Sequence, residues 1–236
     1  VHPHDPESSN DLDAVARTVS VANHVFLGPL LEGSYPVALL RETAHVTNWD
    51  FVRPGDVVRI RQRIDVIFLQ HGAVHAVSAA PGATSPAPWH GLREVAFHPL
   101  PPPHTATGAA IAPDTLGELL EALDNTNPDL PMVVVSNAAV FADELTADNR
   151  VHDAARVSYL HDHIAEIRKT RTAGVRVGGH VVPLVGAAGI IHQAGERRIP
   201  KDSARWYAAL ARHGELPDPT SAWTLPPVAA GRQGGA

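Results

Sequence analysis

Residues 130–141 read L-P-M-V-V-V-S-N-A-A-V-F, a run of small apolar β-formers that ends abruptly at Ser136-Asn137. A buried parallel strand looks like this where it passes into a loop. In α/β barrels, catalytic groups are carried at the carboxyl end of a strand. Ser136 is therefore the first candidate for chemistry. A serine hydroxyl is almost fully protonated at neutral pH, however, and becomes a nucleophile only beside a base. No G-x-S-x-G elbow surrounds it. The commoner role for such a residue is a small hydroxyl that caps a strand-end amide.

The histidines are the next candidates, since the chain has 15 of them. His71 and His75 have the i,i+4 spacing that binds metal on a helix, but Gly72 and the apolar run before them argue against a helix there. His161 and His163 lie two apart and so point to different helix faces. Asp162 and Glu166 read as a solvated face. Zinc needs at least three convergent ligands, so neither a metal nor any other cofactor is expected. Lys201, Asp202 and Arg205 open a helical pattern; surface capping and intrahelical pairing explain them better than an anion site. Trp49 and Trp89 fall in loops, where a partly buried anchor is a commoner role than a sugar-stacking platform.

These residues need elements to position them. The pattern Leu12, Val15, Val19, Ala22, Val25, Phe26 predicts a helix capped by Asp11 and interrupted at Gly28-Pro29. Val37–Val46 reads as a second, short helix, and 53–56 as a turn. Ile64–Leu69 is expected to be a buried strand. Residues 79–113 hold eight of the 21 prolines and little periodicity, as a long surface excursion would. Helix resumes at Pro113-Asp114, and Met132–Val135 is the next strand. Asp153 should cap a long helix ending near Gly174, followed by a glycine-broken strand over 175–185 and a short one at Ile190-Ile191. Lys201–His213 closes the pattern as an amphipathic helix. Helix and strand alternate with no internal hairpin signal, which predicts α/β with parallel strands.

Composition narrows the partners. A net charge of -6 offers no basic face, so nucleic acid is not an expected partner. No apolar run approaches the roughly 20 residues of a membrane helix, so no membrane partner is expected. V-H-P-H-D-P-E has neither a basic region nor an apolar core, so it does not read as a signal peptide, and a cytoplasmic location is expected. The absence of cysteine excludes disulfides and thiolate metal sites.

The order of these elements resembles the second half of the family 1 glycoside hydrolases, the bacterial β-glucosidases. A-N-H-V-F-L-G-P-L-L-E-G-S-Y-P at 22–36 is similar to the helix and turn after the family's fifth strand. I-D-V-I-F-L at 64–69 stands where the family has its sixth strand, and V-A-F-H-P-L-P-P-P-H-T-A-T-G at 95–108 resembles its long sixth loop. L-P-M-V-V-V-S-N-A-A at 130–139 is similar to the seventh strand and its catalytic loop. The densest likeness is in R-V-H-D-A-A-R-V-S-Y-L-H-D-H-I at 150–164 and R-I-P-K-D-S-A-R-W-Y at 198–207. The resemblance implies α/β architecture: a partial (β/α)8 TIM barrel, roughly strands five/six to eight with their helices. Residues 1–216 would form this domain and 217–236 a Pro/Gly-rich mobile tail.

The same resemblance implies what the chemistry should be, and where it fails. Retaining glycosidases need two carboxyls about 5–5.5 Å apart, an acid/base and a nucleophile. The family's nucleophile lies in Thr-Glu-Asn-Gly; here that place reads Val135-Ser136-Asn137-Ala138. Where the family has the tyrosine that orients the nucleophile, this chain has His71, within Gln70-His71-Gly72. The tryptophan before the helix-seven proline is replaced within Gly108-Ala109-Ala110. The Trp-rich sugar loop after strand eight is replaced by P-L-V-G-A-A-G-I-I-H at 183–192. No segment supplies the Thr-x-Asn-Glu-Pro that carries the acid/base. The expectation is a β-glucosidase-family protein with a vacated catalytic position at Ser136, no hydrolysis, and either a β-glucoside or no ligand. The alternatives are a half-barrel that assembles with itself or with a second chain, and a truncated piece of a longer glycosidase.

Overall fold

The computed structural model describes residues 1–72, 74–83, 87–136 and 139–222. The chain divides into two compact units. One comprises Val1–Ile64 with Ala73–Pro101, the other Asp65–Gly72 with Pro102–Ala236.

In the first unit, the helix Ser9–Val19 is capped by Ser8, whose hydroxyl accepts from the Asp11 amide. The cap expected at Asp11 is thus three residues earlier. Asp11 is instead buried and ties the helix to a strand. Its carboxylate accepts from the Asp5 amide at 3.1 Å and the Ala79 amide at 3.1 Å. Gly28-Pro29 does not break the helical run, which continues through π turns to Glu32 and stops at Gly33 with φ +74°. This left-handed residue is where glycine has no steric cost. The whole run, Ser9–Glu32, is long and apolar enough to cross a membrane by length and composition, which corrects the expectation that no segment is. In this fold its Ala14 and Val21 pack against Leu39, Val77, Leu92 and Val95.

The proline-rich excursion also departs from expectation. Val95–His98 pairs antiparallel with Ala76–Ala79, which in turn pairs parallel with His2–Pro3. A second antiparallel pair, Ile191–Ala194 with Arg197–Pro200, turns at Gly195 in the other unit. Both pairs contradict the reading of a chain without hairpins. Beyond the turn at 53–56 a short helix, Asp56–Ile60, forms where none was expected.

The second unit is built on a parallel sheet in the order Ile67–Gln70, Met132–Val135, Val177–Val181. Alternation along these strands sends Ile67, Leu69, Met132, Val134 and Val177 to one face, where Leu116, Leu120 and Ile167 meet them. Leu116 and Leu120 come from the helix Asp114–Thr126, and Ile167 from Ala154–Thr172. Phe68, Val133, Val135 and Val181 point the other way. Phe68 is 62% exposed and Val181 46%, so the run expected to be wholly buried is covered on one side only. A second apolar core lies around Trp206, which is fully buried among Val157, Leu160, Ile164, Ile190 and Ala204. Trp206 belongs to the helix Asp202–His213, and its indole N–H donates to Pro217 O at 3.1 Å. Within residues 217–236, read as a mobile tail, Pro219–Ser221 make a 3-10 turn and the Ala222 that follows is fully buried. The rest of that tail lies outside the described residues.

Candidate functional site

Ser136 follows directly on the strand Met132–Val135. Its amide extends the ladder by donating to Val181 O at 2.7 Å, so the strand delivers the residue to the sheet's carboxyl end as expected. The residue is buried, at 7% exposure. Ser136, Ala139, Arg156, Tyr159 and Ile190 are among the walls of a cavity of about 10 Å³. That is room for about one water molecule, and far less than a sugar ring needs. Asn137, named beside Ser136 in the sequence reading, lies outside the described residues, as does Ala138.

Arg156 is the one cation lining this cavity, and it has no donor to spare. Nε donates to Asp153 at 2.9 Å, and Nη1 to Ala139 O at 2.8 Å and Ala188 O at 3.2 Å. Nη2 donates to Asp143 at 3.1 Å and to Ala187 O at 2.9 Å. Five N–H groups thus meet five acceptors, which exhausts a guanidinium. The web continues outward. Asp143 also takes Lys201 Nζ at 2.6 Å, and Lys201 reaches Gly189 O. Asp153 accepts from the Ser203 amide at 2.9 Å and from its hydroxyl at 2.6 Å. Asp202 takes His152 at 2.6 Å, Arg205 at 3.1 Å and Arg150 at 3.2 Å. Lys201 and Asp202 were read as surface capping; both are in fact buried. Burial draws the Lys201 ammonium below its usual range, and the bond to Asp143 works against that shift. The carboxylates of this web hold loops together: Asp143 and Asp153 meet the buried Arg156, with Lys201 on the first and Ser203 on the second, and Asp202 gathers Arg150, His152 and Arg205.

His71 Nε2 lies 2.8 Å from the Thr115 hydroxyl, and its ring centroid is 5.9 Å from that of His163. His75 falls in the other unit, edge-on to Trp89 at 5.9 Å and Phe97 at 5.5 Å. His161 meets Asp162 at 2.9 Å and stands edge-on to Trp206, whereas His163 bonds Tyr159 O at 2.7 Å. Glu166 pairs with Lys169. Among the described residues no group of three metal-binding side chains converges. Trp49 anchors its loop through a bond from Nε1 to the Thr43 hydroxyl at 2.8 Å, and Trp89 packs near Phe97.

Sequence reasoning missed two further groups. His180 bonds the Tyr207 hydroxyl at 3.2 Å, and burial, helped by nearby His163, lowers its pKa to about 4. Tyr159 is buried and its phenol is pushed up to about 12 by desolvation. Their side chains carried no spacing signal; only the fold brings His163, His180, Tyr159 and Tyr207 into one neighbourhood.

Comparison with known proteins places this arrangement. The sequence profile of glycosyl hydrolase family 1 matches residues 1–185. A bifunctional beta-D-glucosidase/beta-D-fucosidase of Bifidobacterium breve is 32% identical over 84% of this chain and 48% of its own length. Beta-glucosidase A of Thermotoga maritima is 28% identical over 90% of this chain, again covering 48% of that protein. Among solved structures, the psychrophilic beta-glucosidase BglU of Micrococcus antarcticus superposes with a TM-score of 0.81 at 29% identity, over 89% of this chain and 50% of its own. The family 1 enzyme from Thermotoga maritima gives 0.80 at 27% identity, over 92% of this chain and 50% of its own. The chain thus spans about half the length of the relatives it matches, and its fold is part of a (β/α)8 barrel.

Proposed function

The chain belongs to glycosyl hydrolase family 1, and from that premise we propose that it is a member in which the strand-seven site no longer hydrolyses glycosides. The observation that carries this reading is Ser136 at the end of Met132–Val135, the place where the family resemblance calls for a nucleophilic glutamate. A buried hydroxyl carries no negative charge to set against an oxocarbenium ion, and retaining chemistry needs two carboxyls. The surroundings support the same reading. The cavity beside Ser136 holds about 10 Å³, and its guanidinium is fully engaged by Asp153, Asp143 and three carbonyls. His71, at the position of the orienting tyrosine, bonds Thr115. Calorimetric titration with glucose and with cellobiose tests whether sugar recognition has outlived the chemistry. No heat of binding is expected from either sugar; saturable heat would require an intact sugar pocket.

A second reading is favoured by the open face of the parallel sheet. Phe68 and Val181 present apolar area to solvent, with Val133 and Val135 between them. Apolar exposure of this kind on a sheet marks an interaction surface. The chain covers about half of the barrels on which it superposes. The occupant we propose is the corresponding strand face of a second copy, which brings the same apolar residues to the contact. Light scattering on a size-exclusion column should give a dimer that Phe68→Asp weakens. A monodisperse, well-folded monomer would remove this reading.

A further inference from the structure

A pocket of about 40 Å³ lies between the loop after Ile67–Gln70 and the helix Ala154–Thr172; it shares the walls Ala139 and Tyr159 with the cavity at Ser136, but Ser136 does not line it. Gly72, Ala109, Ala110 and Ala139 leave the space open, and the polar walls are His71, Thr105, Thr107, Tyr159 and His163. None of the residues lining it is Asp, Glu, Lys or Arg, so an ion entering it would meet no countercharge. Neutral ligands are the class that remains.

Two of the walls hold polar atoms that bond to no other side chain or backbone group among the described residues. Tyr159 is 7% exposed, and its hydroxyl bonds to none of the described residues; burial alone accounts for the raised pKa of the phenol. His163 is 5% exposed, and its Nδ1 lies 2.7 Å from Tyr159 O. A carbonyl can only accept, so Nδ1 carries the proton and Nε2 keeps a lone pair. Burial lowers the His163 pKa and keeps the ring neutral. The two residues are one helical turn apart, with ring centroids separated by 4.0 Å. A donor, Tyr159 Oη–H, and an acceptor, His163 Nε2, therefore stand side by side. One ligand hydroxyl satisfies both by accepting from the tyrosine and donating to the imidazole. A second hydroxyl would find Thr105 and Thr107, whose Oγ1 atoms lie 3.0 Å apart. A ligand hydroxyl that pairs with both atoms replaces the water contacts it displaces, which keeps its entry from costing free energy.

We propose that this pocket is a binding site for a small neutral alcohol or diol of a few non-hydrogen atoms. Its volume holds about three waters' worth of space. The site does not depend on whether Ser136 supports hydrolysis, because Ser136 is not among its walls.

Nuclear magnetic resonance on the 236-residue chain tests the assignment. The protein is titrated with ethane-1,2-diol while the ring resonances of His163 and Tyr159 are followed. Saturable shifts are expected, and 1,2-dimethoxyethane, which accepts but cannot donate, should produce none. Tyr159→Phe removes one hydrogen bond and should weaken binding about fivefold. Ala109→Leu fills the space without touching either polar group, and should abolish the shifts while the His163 resonances stay native-like. The proposal is overturned if ethane-1,2-diol gives no saturable shift, which would leave water as the only occupant. Equal shifts from the dimethyl ether, or undiminished binding in a folded Ala109→Leu protein, would overturn it as well.

Discussion

The helix Ala154–Thr172 borders two neighbourhoods of opposite character. On one side Arg156, Asp153, Asp143, Lys201 and Ser203 form a closed web in which the charges meet opposite charges, hydroxyls or carbonyls. Arg156 also lines the second, a cavity of about 10 Å³ to which the strand end at Ser136 brings only a small hydroxyl. The stretches read as most like the family, 150–164 and 198–207, supply most of the web; 150–164 also gives Arg156 and Tyr159 to the walls of the Ser136 cavity, but Ser136 itself lies in neither stretch. Removing one partner of a buried ion pair strands the other, whereas a catalytic side chain is anchored by function alone. The proposed loss of chemistry fits this contrast: a substitution in the web would unfold the chain, whereas one at Ser136 would only silence it.

The sharpest way to break this contrast is Arg156→Ala. It leaves Asp153 and Asp143 each short of a buried cation contact, and should cost about 3–5 kcal/mol in urea unfolding. A loss as small as that of Ser136→Ala would mean the web is not what holds the loops.

A second expectation concerns pH. The pKa of His180 is lowered to about 4, and that of His163 is lowered by burial, so between the unfolded value of 6.5 and the folded values the unfolded chain binds more protons. Stability is fully present above pH 6.5 and is lost as pH falls through the folded values. For His180 alone the loss is up to about 3 kcal/mol by pH 4. Chemical denaturation across this window should show the slope, and His180→Phe should flatten it. An equal slope in that variant would assign the effect elsewhere.

Smaller changes belong to the strand end. Ser136→Glu inserts a carboxyl into a space too small to hydrate it, at a cost of about 1–3 kcal/mol. Desolvation there raises the carboxyl pKa and favours the protonated, non-nucleophilic form. This variant should show no glycosidase activity, with or without added azide or formate. Ser136→Ala should change unfolding by no more than about 1 kcal/mol, since the strand keeps the amide bond to Val181.

Much of the fold was legible because periodicity reports burial. Met132–Val135 and the helices Asp114–Thr126, Ala154–Thr172 and Asp202–His213 form close to where their apolar spacing puts them. Val95–His98 was hidden among prolines, because its antiparallel partner contributes only four residues and no turn signal. Phe68 misled because a strand with one open face has the same apolar run as a fully buried one. At the site, Ser136 could be placed from the strand's end alone. The burial of Lys201 could not, since the carboxylate that accepts its hydrogen bond, Asp143, is far away in sequence. Nor could the pairing of Tyr159 with His163 as pocket walls, which requires Thr105 and Thr107 to close the opposite side.

Release of phenol from an aryl β-glucoside tests the central claim most directly, with the protein and its Ser136→Ala variant assayed side by side. The two rates are expected to be indistinguishable and equal to the uncatalysed background. Turnover by the unmodified protein that Ser136→Ala abolishes would make Ser136 a working nucleophile, and the reading of a vacated strand-seven site would be wrong.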